Sequence, residues 1–212
     1  VFSSEAAARG EGMRMGPPSE QSSAKPMPPQ TPSGRWLMDT QTSYAVPLAL
    51  EVLDEAHVAP CRALLAETIR RENRDEEGVL RPANSLMTGF IGTAWISQAL
   101  NAAGEDALAY RLLQNDQYPS WLYSVKNGAT TIWERLNSYT VENGFGGNNS
   151  MNSFNHYSFG AVGTWMCQTV LGIRRAEAPA SFRLAPVPDP DGVMTWAKGG
   201  VDTVRGRFES GW

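Results

Sequence analysis

Apolar residues recur at helical spacing from Gln41 to Leu171 and alternate with polar ones after Pro179. That single change of period constrains the fold more than any other feature. A helix buries a stripe that returns about every 3.6 residues, whereas a strand buries every second residue. A chain that switches once from the first pattern to the second is expected to build a helical layer and then a small β unit.

Gln41 to Leu53 carries the first helical pattern, with Pro47 expected to kink the helix or to belong to its first turn. Pro60 suits the first position of a second helix. Behind it Cys61, Leu64, Leu65, Thr68 and Ile69 fall on one face, and Arg70 and Arg71 suit the negative end of the dipole. A third helix is predicted over Gly89–Ala103, with Phe90, Ala94, Trp95 and Ala99 on its apolar side and Gly104 as its stop. A fourth runs from Asp106 to Asn115, and Tyr118-Pro119-Ser120 opens a short one through Val125. The last is predicted from Phe154 to Leu171, striped by Phe159, Val162, Met166 and Val170 and ended by Gly172.

Past Pro179, Phe182–Leu184, Val193–Trp196 and Val204–Trp212 alternate, with Gly199-Gly200 read as a turn. About three strands make a marginal sheet by themselves, so this unit is expected to be incomplete. At the other end, residues 1–35 contain Pro17-Pro18, Pro26, Pro28-Pro29 and Pro32 and almost no large apolar side chains. Such a segment buries too little surface to offset its ordering entropy and is expected to be disordered. The chain thus divides into 1–35, a helical unit over 36–178, and the start of a β unit over 179–212. It begins at Val1 with no basic-then-apolar leader pattern and is expected to be a piece of a longer protein.

The net charge of −4 and the absence of a long basic run argue against a phosphate-tracking nucleic-acid binder and against a polybasic membrane contact. No apolar stretch approaches the roughly 20 residues of a membrane span. With only His57 and His156, and with Cys61 and Cys167 in no zinc-like spacing, no metal and no cofactor is expected. Both cysteines fall in apolar helical patterns and read as buried free thiols, with a disulfide between them as the alternative.

Three stretches are richer than packing requires. In Asn84–Thr93, NSLMTGFIGT, two glycines bracket Phe90 ahead of a helix, which suits either tight helix packing or close approach to a ligand. In Gly128–Arg135, GATTIWER, Glu134 lies among Ile132, Trp133 and Leu136. Apolar neighbours raise a carboxyl pKa towards the range of proton transfer; an ion pair with Arg135 is the alternative. In Glu142–Phe159, ENGFGGNNSMNSFNHYSF, amides, His156 and aromatic rings suit hydrogen bonding to neutral hydroxyls and stacking on sugar faces. His156 is equally placed to cap the helix that follows.

At this point the phrases DTQTSYAVPLAL, LMTGFIGTAWI, YPSWLYSVKNGATTIWERLNSYT and GFGGNNSMNSFNHYSFGAVGTWM resemble the helical catalytic domain of α-L-rhamnosidases of glycoside hydrolase family 78. TWAKGGVDTVRGRFESGW looks like the start of the β-sandwich that follows it. The resemblance covers about residues 36–212. It implies a mainly α fold, the later hairpins of a six-hairpin (α/α) barrel, followed by an incomplete antiparallel β-sandwich segment. It also implies hydrolysis of terminal α-L-rhamnosyl residues with inversion, on a rhamnose-containing carbohydrate.

By the same resemblance Glu134 is the general base, His156 contacts rhamnose hydroxyls, and Trp133 and Trp121 line the pocket. The family's general acid belongs to a motif of the DERxGWxGD kind, which does not occur in this sequence. The expectation is therefore a chain that carries the base without the acid and is inactive alone. A non-catalytic carbohydrate-binding remnant and a purely helical scaffold are the two other readings.

Overall fold

The computed structural model describes residues 38–146, 150–176 and 181–212. The proline-rich stretch 1–35 lies outside the described residues, as do Gly147, Asn148 and Asn149 of the Asn-rich loop. What is described is mainly helical, with short antiparallel ribbons. Among the described residues no helix is long and apolar enough to cross a membrane.

Helix α1 (Gln41–Ala49) begins where Thr40 and Ser43 cap each other, each backbone N–H donating to the other's hydroxyl at 3.2 Å. Pro47 stands in its last turn, not its first, and the helix ends two residues later. Helix α2 (Glu55–Arg70) starts behind Asp54, so Pro60 lies inside it and not at its first position. Proline cannot donate to the carbonyl of Ala56. That residue is exposed, so water can take the donor's place. The expected face of α2 is buried at Cys61, Leu65, Thr68 and Ile69.

Helix α3 (Phe90–Ala102) buries Gly92, Thr93, Ile96, Ser97, Ala99 and Leu100. Of the expected stripe Phe90, Ala94, Trp95 and Ala99, only Ala99 is buried. Phe90 is exposed, and Ala94 and Trp95 are only half-buried. The small residues win because α1 packs directly along this face: a Cβ on Gly92 would meet Thr42 Oγ1 at 2.2 Å. Core residues such as Leu65, Ile69, Ile96 and Leu100 are fully buried, each contributing roughly 1.5–3 kcal/mol of transfer free energy.

Helix α4 (Asp106–Gln114) adds Leu108, Ala109, Tyr110 and Leu112 to the core. The Tyr110 hydroxyl donates to the Val187 carbonyl at 2.6 Å. Burial, aided by the nearby Asp189 and Asp106 carboxylates, pushes its phenol up to about 12. A cis Tyr118–Pro119 bond leads into helix α5 (Trp121–Lys126), which Ser120 caps by accepting the Tyr123 N–H at 3.1 Å.

The last helix starts later than its periodicity predicts. Residues 154–157 are not helical, because the His156 N–H donates across to Ile132 O at 2.8 Å. A 3₁₀ turn over Ser158–Ala161 then leads into α6 (Val162–Trp165) and a π turn over Met166–Val170. The wider π turn rotates the register, so Trp165, Thr169 and Val170 go inward while Met166 is exposed. Cys167 follows Met166 outward and is an exposed free thiol, not a buried one. Cys61 is buried, which pushes its thiol up to about 12.

Strands β1 (Asn73–Arg74) and β2 (Leu80–Arg81) form a small ribbon between α2 and α3. Strand β3 (Ile173–Arg175) pairs with β4 (Phe182–Leu184), and β5 (Lys198–Thr203) with β6 (Gly206–Gly211). Val193–Trp196 is not a strand, and Gly199-Gly200 is not a turn but part of β5. Both glycines serve close approach. A Cβ on Gly199 would lie 2.6 Å from Leu171 Cδ1, and one on Gly200 2.5 Å from Phe208 O. In place of a strand, the loop before β5 is organised by Asp189, whose carboxylate accepts Gln114 Nε2 at 2.7 Å and the Met194 N–H at 2.8 Å.

Candidate active site

Two segments that are distant in sequence lie side by side. The Glu134 N–H donates to Ser153 O, and His156 N–H to Ile132 O, both at 2.8 Å. The Thr131 hydroxyl adds a bond to Phe154 O. The pairing brings the GATTIWER run against the Asn-rich loop, so Glu134 and His156 are held on adjoining strips of backbone.

Glu134 is half-buried, and its Oε2 accepts the Ser153 N–H at 2.8 Å. The apolar enclosure expected from its sequence neighbours does not form around it. Ile132 is 39% exposed, and the buried Trp133 ring packs edge-on against Phe154 with centroids 5.2 Å apart. Behind the segment, Ser124 Oγ donates to Leu136 O at 2.7 Å and Ser138 Oγ to Arg135 O at 2.9 Å. The carboxylate is thus held by backbone that is itself tied down.

Glu134 opens onto a cleft of ≈ 530 Å³. Arg135, Leu136 and Asn137 continue its wall, and Phe159 borders it. A second wall is Leu86–Gly89, which a buried amide fixes: Gln41 Nε2 donates to Ser85 O and its Oε1 accepts the Met87 N–H, both at 2.9 Å. Sequence reading passed over Gln41, because a buried glutamine inside an apolar run carries no signal until its two backbone partners are known.

The third wall is the β1–β2 ribbon, also absent from the sequence reading. Asp75 latches it, accepting the Val79 and Glu77 amides and the Arg81 guanidinium. Arg81 in turn lies 4.5 Å over the Tyr118 ring. The signal was available, since Asp75 and Gly78 occupy the first and fourth positions of a turn closed by Gly78 N–H to Asp75 O at 2.9 Å.

Partial desolvation pushes the Asp75 carboxyl up, but the Arg81 guanidinium and the two amides outweigh it and hold the group below its usual value. A depressed folded-state value means the latch contributes above the ordinary carboxylate pKa and is lost as pH falls below about 4. Acidification is therefore expected to release the Arg81–Tyr118 contact, read as a change in tyrosine near-ultraviolet circular dichroism. Asp75→Asn should remove that acid transition; an unaltered transition in the variant would assign it to another group.

Among the described residues no three His, Cys, Asp or Glu side chains come together to hold a metal ion. Asp39 and Asp75 are paired with Arg71 at 3.0 Å and Arg81 at 2.5 Å. The cleft therefore presents both signs of charge together with neutral polar groups such as Asn73 and Thr88.

His156, Trp133 and Trp121 do not border this cleft. Trp121 is in the core, with its indole N–H donating to Phe159 O at 2.8 Å. Nδ1 of His156 accepts the Ser158 N–H at 3.3 Å, and its ring stacks on Phe90.

Residues 30–170 match the family described as the bacterial alpha-L-rhamnosidase 6 hairpin glycosidase domain. The chain belongs to this family. An α-L-rhamnosidase of Formosa agariphila is 40% identical over 174 residues, and one of an Alteromonas species 34% identical over the same length. Each alignment covers 82% of this chain but only 17% and 18% of those relatives, so the chain spans less than a fifth of their length. The crystal structure of the Streptomyces avermitilis α-L-rhamnosidase complexed with L-rhamnose superposes with a TM-score of 0.73 at 30% identity. It covers 86% of this chain and 17% of that one. The Aspergillus terreus α-L-rhamnosidase gives 0.72 at 29% identity, covering 86% and 20%. These structures account for the helical layer.

Proposed function

We propose that this chain carries the general-base half of an inverting α-L-rhamnosidase site, with Glu134 as the base. The observation that carries the reading is the position of Glu134: a carboxylate on the wall of a polar cleft, with one oxygen held by the Ser153 amide. Oε1 is left to take a proton from a water molecule, which then attacks the anomeric carbon. A carboxylic acid on the opposite face of the sugar, roughly 6.5–9.5 Å away, protonates the departing oxygen. A cleft with both signs of charge suits a neutral, hydroxyl-rich ligand better than an anionic one. His156 lies outside the cleft, on the strip paired with residues 131–134, and from there donates to a sugar hydroxyl through Nε2, because Nδ1 already accepts an N–H. Trp133 and Trp121 act from behind the site, by holding Phe154 and Phe159 in place.

No DERxGWxGD motif occurs in the 212 residues, so the acid comes from outside them. The chain alone is then expected to bind L-rhamnose in a calorimeter and to leave an aryl α-L-rhamnoside uncleaved. Losing acid catalysis forfeits roughly 10²–10⁴-fold in rate. Hydrolysis by this chain at the rate of a full-length relative would refute the missing-acid reading, and absence of any rhamnose binding would remove the sugar site altogether. Binding without hydrolysis, even once an acid-bearing segment is supplied, would instead make Glu134 a hydroxyl acceptor in a non-catalytic site.

A further inference from the structure

The run NSLMTGFIGT has so far supplied one wall of the cleft and a close helix contact, but not a reason for its aromatic residue. Phe90 is the first residue of α3 and is 37% exposed, an unusual place for a phenylalanine with no core to fill. Its ring lies 4.8 Å from the His156 ring at an interplanar angle of 24°, and meets Phe159 edge-on at 5.4 Å. His156 also lies 5.3 Å from the Tyr157 ring, at 6°. The imidazole thus has two aromatic neighbours, and its Nδ1 accepts the Ser158 amide.

We propose that Phe90 is a positioning residue for His156, setting the plane of the imidazole so that its remaining nitrogen faces the sugar hydroxyl; this rests on the rhamnose-binding reading above. The fold explains how a residue on α3 can set a ring on a distant loop. Gly92, two residues on, lets α1 approach until a Cβ would touch Thr42, which fixes the start of α3. The Trp121 indole anchors the Phe159 backbone on the far side. Phe90 therefore reaches His156 from a framework secured at both ends. Tyr157, at 85% exposed and adjacent in sequence, has no comparable anchor. Offset-stacked rings prefer this geometry and hold it through contact and quadrupole terms.

Only two histidines occur in the chain, so the imidazole proton and nitrogen resonances of His156 are assignable with a single His57→Gln control. In the intact chain the His156 ring protons should be shifted upfield by the Phe90 ring, and its nitrogens should report the Nε2–H tautomer. Phe90→Ala should abolish most of that ring-current shift and weaken L-rhamnose binding about three- to tenfold. Phe90→Tyr should restore both, while Phe90→Leu, which keeps apolar bulk without a ring, should restore neither. Melting curves identify any variant that has lost its fold, and because Phe90 is partly exposed the Leu and Tyr variants should retain it.

Unchanged His156 resonances in Phe90→Ala would overturn the proposal, as would unchanged rhamnose affinity accompanied by a lost shift. A wild-type chain that binds no rhamnose would count against the functional reading alone. The ring-current and tautomer signals would then still decide whether Phe90 sets the imidazole.

Discussion

Replacing Glu134 with glutamine is expected to lower turnover of an aryl α-L-rhamnoside by roughly 10²–10⁴-fold in the whole enzyme that carries this chain, with KM little changed. Glutamine keeps an oxygen to accept the Ser153 N–H that now meets Oε2 at 2.8 Å. The backbone pairing of Glu134 with Ser153 is untouched by the substitution. In the proposed mechanism, what is lost is only the ability to remove a proton from the attacking water. The expected signature is therefore a fall in kcat with an unaltered melting temperature. Recovery of activity on adding azide, which attacks without needing a base, would confirm the role. A Glu134→Gln enzyme that kept most of its kcat would take Glu134 out of the mechanism.

The second large effect is one of stability. Gly172 closes the last helix at φ 67 and leads directly into β3. A Cβ there would lie 2.1 Å from both Ala185 C and Pro186 N, which are backbone atoms and cannot rotate away. The Ala185 N–H also donates to Gly172 O at 3.0 Å, so the two strips cannot separate without breaking a bond. The left-handed backbone costs an alanine about 1–2 kcal/mol and overpacking a further 1–3 kcal/mol. Gly172→Ala should thus destabilise by roughly 2–5 kcal/mol and lower Tm by about 4–20 °C. Gly104→Ala is the control: it has a similar φ of 77 but nothing within 4 Å of the added carbon, and should show only the smaller, conformational part. Equal losses in the two variants would mean that crowding at Ala185 contributes nothing.

Most of the helical layer was legible because buried stripes repeat. The α2 face was read correctly from Cys61 to Ile69, and Gly104 and Gly172 were correctly taken as stops. The failures have physical reasons. In α3 apolar spacing points to Phe90, Ala94, Trp95 and Ala99, whereas Gly92, Thr93 and Ser97 are buried because they let α1 come close. In the last helix a π turn shifts the register by one residue, which no regular period anticipates. Pro60 was placed at a helix start because a proline inside a helix normally costs a buried bond; here the orphaned carbonyl belongs to exposed Ala56.

For the candidate site, family phrases drew attention to Glu134 and His156, while composition alone left each with a structural alternative. The Gln41 clamp is not legible because its partners, Ser85 O and Met87 N–H, are backbone groups, which have no letter in a sequence. The Asp75 latch differs, since its turn residues Asp75 and Gly78 and its Arg81 partner do stand in the sequence.

The side-by-side pairing of residues 131–134 with 153–156 also bears on how such a site can diversify. Because the cross-ties at Ile132–His156 and Glu134–Ser153 hold the two strips together, the chain that joins Glu134 to Ser153 has both of its ends fixed. Lengthening a closed loop is cheap, about 0.6 kcal/mol for each doubling. Insertions there are expected to leave the spacing of Glu134 and His156 unchanged, so the loop's length and the geometry of the paired strips are separable.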